Sequence, residues 1–368
     1  MAETIDTGEE RIITEVTEDV TDKKCPNCAA TIVFDPATGG MFCEFCGYRA
    51  ELPPADKEAA VCEMDFNEAT ARASYDWGAQ KKIVVCKNCG GEGVYDALIT
   101  SEICPFCGST NVMPTTDSES MAPGGVVPFE IPKERTGELF QKWIKSKFFA
   151  PSDAKKNAKS DAFQGVYLPY WTYDAKTSST FTGRAGFDKR VKRGDNYVTE
   201  TTWRRVSGVY QEDIDDQTVV ASKRNENSGV KQCEPFNFAK LVPYSPQIVA
   251  GFIAERYSIG LEEGWENAQK IIRDRLHSNI RSYIINRWHS DRADSIQFST
   301  VYSNITYKYI LVPIWISSFK YKEKVYQFVV NGQTGKIGGK YPISAIRVIL
   351  TIIAVIAVIG LLYAFANS

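Results

Sequence analysis

Cys25-Pro-Asn-Cys28 followed after 14 residues by Cys43-Glu-Phe-Cys46, and Cys86-Lys-Asn-Cys89 followed after 14 residues by Cys104-Pro-Phe-Cys107, decide how the N-terminal third of this chain folds. The spacing is C-x2-C-x14-C-x2-C both times, and the second copy lies 61 positions after the first. The match extends to Asn27 and Asn88, to Val33-Phe34-Asp35 and Val94-Tyr95-Asp96, to Phe45 and Phe106, and to Gly47 and Gly108. This is the signature of a duplicated unit. A C-x2-C turn points two thiolates at one centre, and two such turns complete a tetrahedral sulfur shell. A glycine just after a turn admits the tight backbone it needs.

Each unit of about 25 residues is too small for an apolar core of its own, so bound metal supplies most of its folding energy, on the order of 10 kcal/mol. Soft thiolates favour Zn²⁺, with iron the main rival. A disulfide framework needs an oxidising compartment, and redox-active C-x-x-C pairs usually stand alone on a βαβ scaffold. The reading is therefore two structural Zn²⁺ sites, held by Cys25, Cys28, Cys43 and Cys46 and by Cys86, Cys89, Cys104 and Cys107. Both shells are filled by protein, which leaves no position for a metal-bound water and speaks against a catalytic metal. Cys62 and Cys233 fall outside the pattern and read as small buried apolar residues.

At the other end, Val348 to Ala366 is 19 residues without a charge. At 1.5 Å per residue it spans about 28 Å, the thickness of a hydrocarbon core. Tyr341 and Tyr363 stand near the expected interfaces, and Lys336, Lys340 and Arg347 flank the N-terminal side. Positive charge stays inside, so the body is expected in the cytoplasm, on a single-pass anchor in the cell membrane. Met1 to Lys24 has no apolar core of the export type and holds 8 acidic and 3 basic residues, as a solvated tail would.

Charge divides the chain further. Residues 25–110 hold 12 acidic and 6 basic residues, net −6, whereas residues 111–340 hold 25 acidic and 33 basic, net +8. An acidic cysteine-rich end argues against phosphate binding there. A basic body suits a surface near anionic lipid.

The expected organisation is α+β: an acidic tail over 1–24, a ribbon over 25–50, a connector over 51–85, a second ribbon over 86–110, a linker over 111–125, a mixed α+β body over 126–342 and a transmembrane anchor over 343–368. The Ser-, Thr-, Pro- and Gly-rich stretch from Thr115 to Gly125 marks that linker. Helices are predicted over 133–149, with Leu139, Phe140, Trp143, Ile144 and Phe148 on one face, and over 260–290, with a stripe of Trp265, Ala268, Ile272, Leu276, Ile280 and Ile284. Strands are predicted at 166–173, 177–186, 197–210, 307–319 and 325–330, with a hairpin turn at Asn331-Gly332. Val127-Pro128-Phe129, a helix and Tyr167-Leu168-Pro169-Tyr170-Trp171 parallel Val242-Pro243-Tyr244, a helix and Leu311-Val312-Pro313-Ile314-Trp315, which suggests two related units.

No catalytic constellation stands out. His277 and His289 lie 12 residues apart on one predicted helix. Asn331-Gly332-Gln333-Thr334-Gly335-Lys336 misplaces the first glycine of a phosphate loop and has Ile337 after the lysine. The basic run from Arg184 to Arg193 reads as a solvated hairpin edge, or as a patch for lipid or a partner.

Taken together, the two ribbons, Trp77, Val242-Pro243-Tyr244, Ala254-Glu255-Arg256-Tyr257, Leu311 to Trp315 and Tyr326 to Lys336 resemble the bacterial TFIIB-type zinc-ribbon membrane proteins, often labelled primosomal or replicative helicase-like. The resemblance covers residues 25–347 and implies zinc, a membrane anchor and the company of SPFH-like or phage-shock-type membrane-associated proteins. It offers no catalytic residues, and the absence of a nucleotide-binding loop disagrees with the helicase label. The expected function is a non-enzymatic adaptor that binds partner proteins at the cytoplasmic face of the membrane, in envelope-stress or membrane-scaffold recruitment. The alternative is a membrane-tethered nucleic-acid-binding ribbon protein.

Overall fold

The structure is a computed structural model that describes residues 24–52, 61, 63–66, 81–87, 92–96, 104, 109, 112–115, 121–157, 163–194, 196–223, 229–322 and 324–366. The acidic tail before Lys24, together with Cys62, Trp77, Cys89, Phe106 and Cys107, lies outside the described residues.

Short strands β1 (Val33–Asp35), β2 (Gly40–Phe42) and β3 (Arg49–Ala50) form a small antiparallel sheet around the first cysteine set. A second sheet takes in β4 (Met64–Asp65), β5 (Lys81–Cys86), β6 (Glu92–Asp96), β7 (Val112–Thr115) and β8 (Gly125–Val126). Helices α1 (Lys133–Ser146) and α2 (Ser152–Asn157) lead into the long strands β9 (Gln164–Arg193) and β10 (Asn196–Val220). After α3 (Val230–Cys233), β11 (Val242–Pro243) and β12 (Ile253–Glu255), the 28-residue helix α4 (Leu261–Trp288) precedes β13 (Arg292–Tyr321), β14 (Lys324–Asn331) and β15 (Ile337–Gly339). The apolar helix α5 (Ala345–Ala366) follows.

The central feature is the antiparallel pairing of β9 with β13, in which Leu168 faces Val312, Pro169 faces Leu311 and Tyr167 faces Pro313. Side chains alternate between two cores. Tyr167, Trp171, Tyr173, Tyr307, Tyr309, Leu311 and Trp315 enter one, beneath the helices. Val166, Leu168, Tyr170, Ile310, Val312, Ile314 and Ile316 enter the other, against Val230, Cys233 and Phe236. Burial on both faces explains the near-continuous apolar runs in the sequence.

Around the Leu168–Val312 pair the two halves of the body repeat the same contacts. The indole N–H of Trp171 donates to the Ile259 carbonyl at 2.8 Å, and that of Trp315 donates to the Ile131 carbonyl at 2.9 Å. The amides of Ser258 and Ile259 donate to the Ala221 carbonyl, and those of Glu130 and Ile131 donate to the Gly332 carbonyl. Ala221 in turn donates to Pro169 and Gly332 to Pro313. β12 lies parallel to β9 at Val166 and Tyr167, as β8 lies parallel to β13 at Ile310 and Leu311. The helices that follow bury matching positions: Thr136, Phe140 and Ile144 in α1, Gly264, Ala268 and Ile272 in α4. The partner of Val127-Pro128-Phe129 is therefore Glu255-Arg256-Tyr257, not Val242-Pro243-Tyr244 as the shared Val-Pro suggests. Val242 and Pro243 are instead an edge strand paired with β8.

Other expectations need correction. The predicted strands over 166–173 and 177–186 are one strand of 30 residues. Its outer part carries small and polar residues because only one face is covered, by the stripe of α4 through Ile284. α1 ends at Ser146, and Phe148 beyond it is exposed. Asn331 to Lys336 does close a hairpin, but as a longer loop: the Asn331 side-chain oxygen accepts from the amides of Gln333 and Thr334, and the left-handed residue is Gly335 rather than Gly332. Two supposed connecting stretches belong to the body. Met121 and Ala122 are buried and Gly125-Val126 pairs with β13, while Met64-Asp65 pairs with Tyr307-Thr306. His277 and His289 are both exposed.

The matched tryptophans give a direct test. Trp171→Phe and Trp315→Phe each leave a buried carbonyl without its donor, and each is expected to cost about 1–3 kcal/mol. Urea midpoints followed by circular dichroism should fall by similar amounts. A loss confined to one variant would show that the halves are not equivalent.

Candidate metal centre

The first cysteine set is built from two identical backbone turns. The Cys25 amide donates to the Ala30 carbonyl at 2.7 Å and the Cys43 amide to the Tyr48 carbonyl at 2.9 Å, while Ala29 and Gly47 donate back to the Cys25 and Cys43 carbonyls. Ala29 and Gly47 sit at matching positions in the left-handed region, with φ of 58° and 75°. Glycine meets that requirement without strain, whereas alanine carries a cost of about 1 kcal/mol. Between the turns, β1 and β2 form a hairpin whose Asp35 carboxylate accepts from the Ala37 amide and the Thr38 hydroxyl, both at 2.9 Å.

The turns bring Cys25, Cys28, Cys43 and Cys46 together with all four sulfurs within 4.8 Å of one another, close enough to hold a metal ion. Cys25 and Cys46 Sγ are 3.4 Å apart, and Cys28 and Cys43 Sγ 3.6 Å. A tetrahedral ion with metal–sulfur bonds of 2.3 Å needs sulfur–sulfur edges of about 3.8 Å, so small shifts accommodate it. A disulfide at about 2.05 Å is a different arrangement. Cys25 and Cys43 are buried, whereas Cys28 and Cys46 face solvent.

The backbone tunes these thiols. The Cys46 amide, with help from that of Phe45, brings the Cys43 thiol down to about 7. At Cys46 the Tyr48 amide works downward but is outweighed by Cys25, burial and the other two thiols, and the group is pushed up to about 12. The Ala30 amide likewise works downward at Cys28, yet burial and the neighbouring thiols leave it raised.

Of the second set, Cys86 and Cys104 are described and both are buried; Cys89 and Cys107 lie outside the described residues. What is described repeats the first set at an offset of 61. Val85 pairs with Glu92 as Lys24 pairs with Thr31, and the Cys104 amide donates to the Ser109 carbonyl as Cys43 donates to Tyr48.

Neither unit hangs free. The Phe34 amide donates to the Ala250 carbonyl at 3.1 Å, and Ile32, Phe34 and Met41 join the main core. β6 pairs with β12, and Arg256 holds Glu92 at 3.1 Å. The turn Glu44-Phe45-Cys46 is exposed, with the Phe45 side chain 81% accessible. Its alignment with Phe106 was legible in the sequence, but its exposure was not.

Sequence reading missed one further cluster. Asp174, Asp215 and Asp216 lie close enough together to hold a cation, but the Lys308 ammonium is already there, 2.9 Å from Asp216 and 3.6 Å from Asp174. Burial opposes the Lys308 charge, yet Asp216 and Asp174 hold it above its ordinary range. Cys233 is buried, and burial pushes its thiol up to about 12.

The chain is 28% identical over 322 residues to the uncharacterized protein YdjG of Bacillus subtilis (strain 168), a match that covers 87% of this chain and 90% of that protein. No protein-family model matches. No solved structure matches.

Thiol ionisation yields a measurable outcome. The thiols of Cys28 and Cys46 lie above their ordinary range and that of Cys43 below it, so loading the first set at pH 7 should release protons, from Cys28 and Cys46 above all. Affinity should accordingly rise with pH through the neutral range. Calorimetry of Zn²⁺ binding in buffers of different ionisation enthalpy counts the protons, and a release below one would contradict the arrangement.

Proposed function

We propose that this chain is a membrane-anchored zinc-ribbon adaptor, related to the TFIIB-type zinc-ribbon membrane proteins, that holds partner proteins at the cytoplasmic face of the membrane. One observation carries the reading: the four thiols of the first set fill a metal shell by themselves while the adjoining turn presents Phe45 to solvent. A shell closed by protein stabilises a surface rather than activating water. All-thiolate donors select zinc among the common divalent ions, and the repeated backbone of the second set supports a second zinc held by Cys86, Cys89, Cys104 and Cys107. Exposed aromatics at the centre of a small rigid surface are typical anchors for a partner.

Localisation rests on α5. One helix, Ala345–Phe365, is long and apolar enough to cross a membrane, with mean hydropathy 2.9 and none of it buried. Because both cysteine units pack on the body, partners meet a fixed surface and not a pair of projecting knobs.

Purified full-length protein should contain two zinc ions per chain, falling to one in Cys43→Ser. Phe45→Ala should keep both ions and stay in the membrane fraction, yet lose most of its co-purifying protein in quantitative mass spectrometry. Zinc-free wild type would remove the ribbon reading. Unchanged partners with Phe45→Ala would remove the adaptor surface.

A further inference from the structure

An open cavity of about 780 Å³ lies where the β13–β14 hairpin tip meets the first turns of α5. Its walls grade from cationic to apolar. Lys322 and Lys324 line the hairpin side, Arg347 stands on the first turn of α5, and Ile346 and Leu350 continue into the uncharged helix. Ile346 and Leu350 are 71% and 60% exposed. The Arg347 guanidinium is fixed in place, donating to the Phe148 carbonyl at 2.7 Å and to the Ser152 hydroxyl. Both acceptors are neutral, so its charge is not cancelled. Among the described lining residues the one carboxylate is Asp153. It accepts from the Tyr321 hydroxyl at 2.8 Å, and this bond, with the nearby Lys322, holds it below its ordinary range. Among the described lining residues, three cations therefore stand against one anion.

We infer that this cavity binds the headgroup phosphate of an anionic phospholipid whose acyl chains lie along Ile346 and Leu350. The inference rests on α5 spanning a membrane, which sets the cavity at headgroup depth. Leu350 is three residues, or about 4.5 Å, below Arg347, the last charge before the apolar run. Phe148, whose carbonyl takes the Arg347 guanidinium, and Ile343 in the cavity wall are exposed too, as expected for groups that dip into the interface. Juxtamembrane cations attract anionic lipid, and the apolar wall below them accepts its chains. A soluble anion would use the cations but not that wall.

The basic run at the far end of β9 is the weaker candidate. Arg184 is tied to Asp294 at 2.9 Å, Arg193 to Glu200 at 2.7 Å, and Arg292 to Asp188 at 2.9 Å. Thirty strand residues, about 100 Å of extended chain, separate that tip from Gln164 at the base of β9.

The test uses the full chain in nanodiscs containing equal amounts of phosphatidylglycerol and phosphatidylcholine, with the lipid retained after extraction measured by native mass spectrometry. Wild type should retain phosphatidylglycerol about tenfold over phosphatidylcholine. Lys322→Gln/Lys324→Gln should bring the ratio near one, and Lys189→Gln/Lys192→Gln should leave it unchanged. Equal retention by wild type, unchanged selectivity in the hairpin variant, or loss of selectivity in the tip variant would each overturn the site. Displacement of the retained lipid by inorganic phosphate would also overturn it, in favour of a soluble anion. An alkaline carbonate wash separates the two readings. Release of wild type from membranes would defeat the anchor itself, whereas retention without lipid preference would defeat only the headgroup site.

Discussion

The pairing of Leu168 with Val312 is the constraint from which the rest of the body follows. It places two antiparallel strands about a local two-fold axis, and the contacts around it come in matched pairs. Pro169 and Pro313 show how closely the sequence is fitted to this arrangement. A proline in a central strand normally costs a ladder hydrogen bond. Here the carbonyls of both prolines point outward, to Ala221 and Gly332. Because the N and C=O of one strand residue face the same neighbour, the missing N–H is also on the outer side. Each proline sits where the outer neighbour changes, from β12 to β10 along β9 and from β8 to β14 along β13. The central ladder is therefore untouched, and each proline stands at the seam where a donor would find no partner.

The same symmetry accounts for the aromatic density of the core. Trp171 and Trp315 bond the carbonyls just before the two helices, which sets the depth at which each helix enters the sheet. At α4 the approach is so close that a Cβ on Gly264 would fall 2.4 Å from the Tyr173 hydroxyl, which itself bonds the Leu261 carbonyl. Phe129 stacks on Phe252 and packs against Trp315 in one half, and Tyr257 packs against Trp171 and Tyr309 in the other. The halves diverge where they carry different tasks: α4 is twice as long as α1 and covers the long hairpin of β9 and β10, whereas β14 ends in the loop around Asn331.

How much of the fold was legible in the sequence depended on how local each signal was. The cysteine spacing and the stripe of α4 are local, and the four sulfurs of the first set and the buried face from Trp265 to Ile284 fall where the spacing puts them. Strand length is not local. β9 is buried on both faces up to Tyr173 and on one face beyond it, so its composition changes midway and the strand seems to break. The offset between the halves was hidden for the opposite reason. Val127-Pro128 and Val242-Pro243 match in letters but not in place, whereas Phe129 and Tyr257 match in place and share only aromaticity. The tryptophans at 171 and 315, 38 and 54 residues after the starts of α1 and α4, carried the true register.

The packing also fixes what the cysteine units can do relative to α5. The first unit is joined to the body through Phe34 and Ala250, and Gly251 leaves room for Val33, where a Cβ would come within 2.8 Å. Phe252, next in the chain, stacks on Phe129. From Phe129 the chain enters α1, whose Phe140 stacks on Phe328. The loop after α1 holds α5, through the Ser344 amide to the Phe149 carbonyl and Arg347 to the Phe148 carbonyl. Each link of this series lies among the described residues. A partner gripping the turn at Phe45 would be held at a set distance and angle from the start of α5, and the entropy lost on binding would be less than for a ribbon on a free linker.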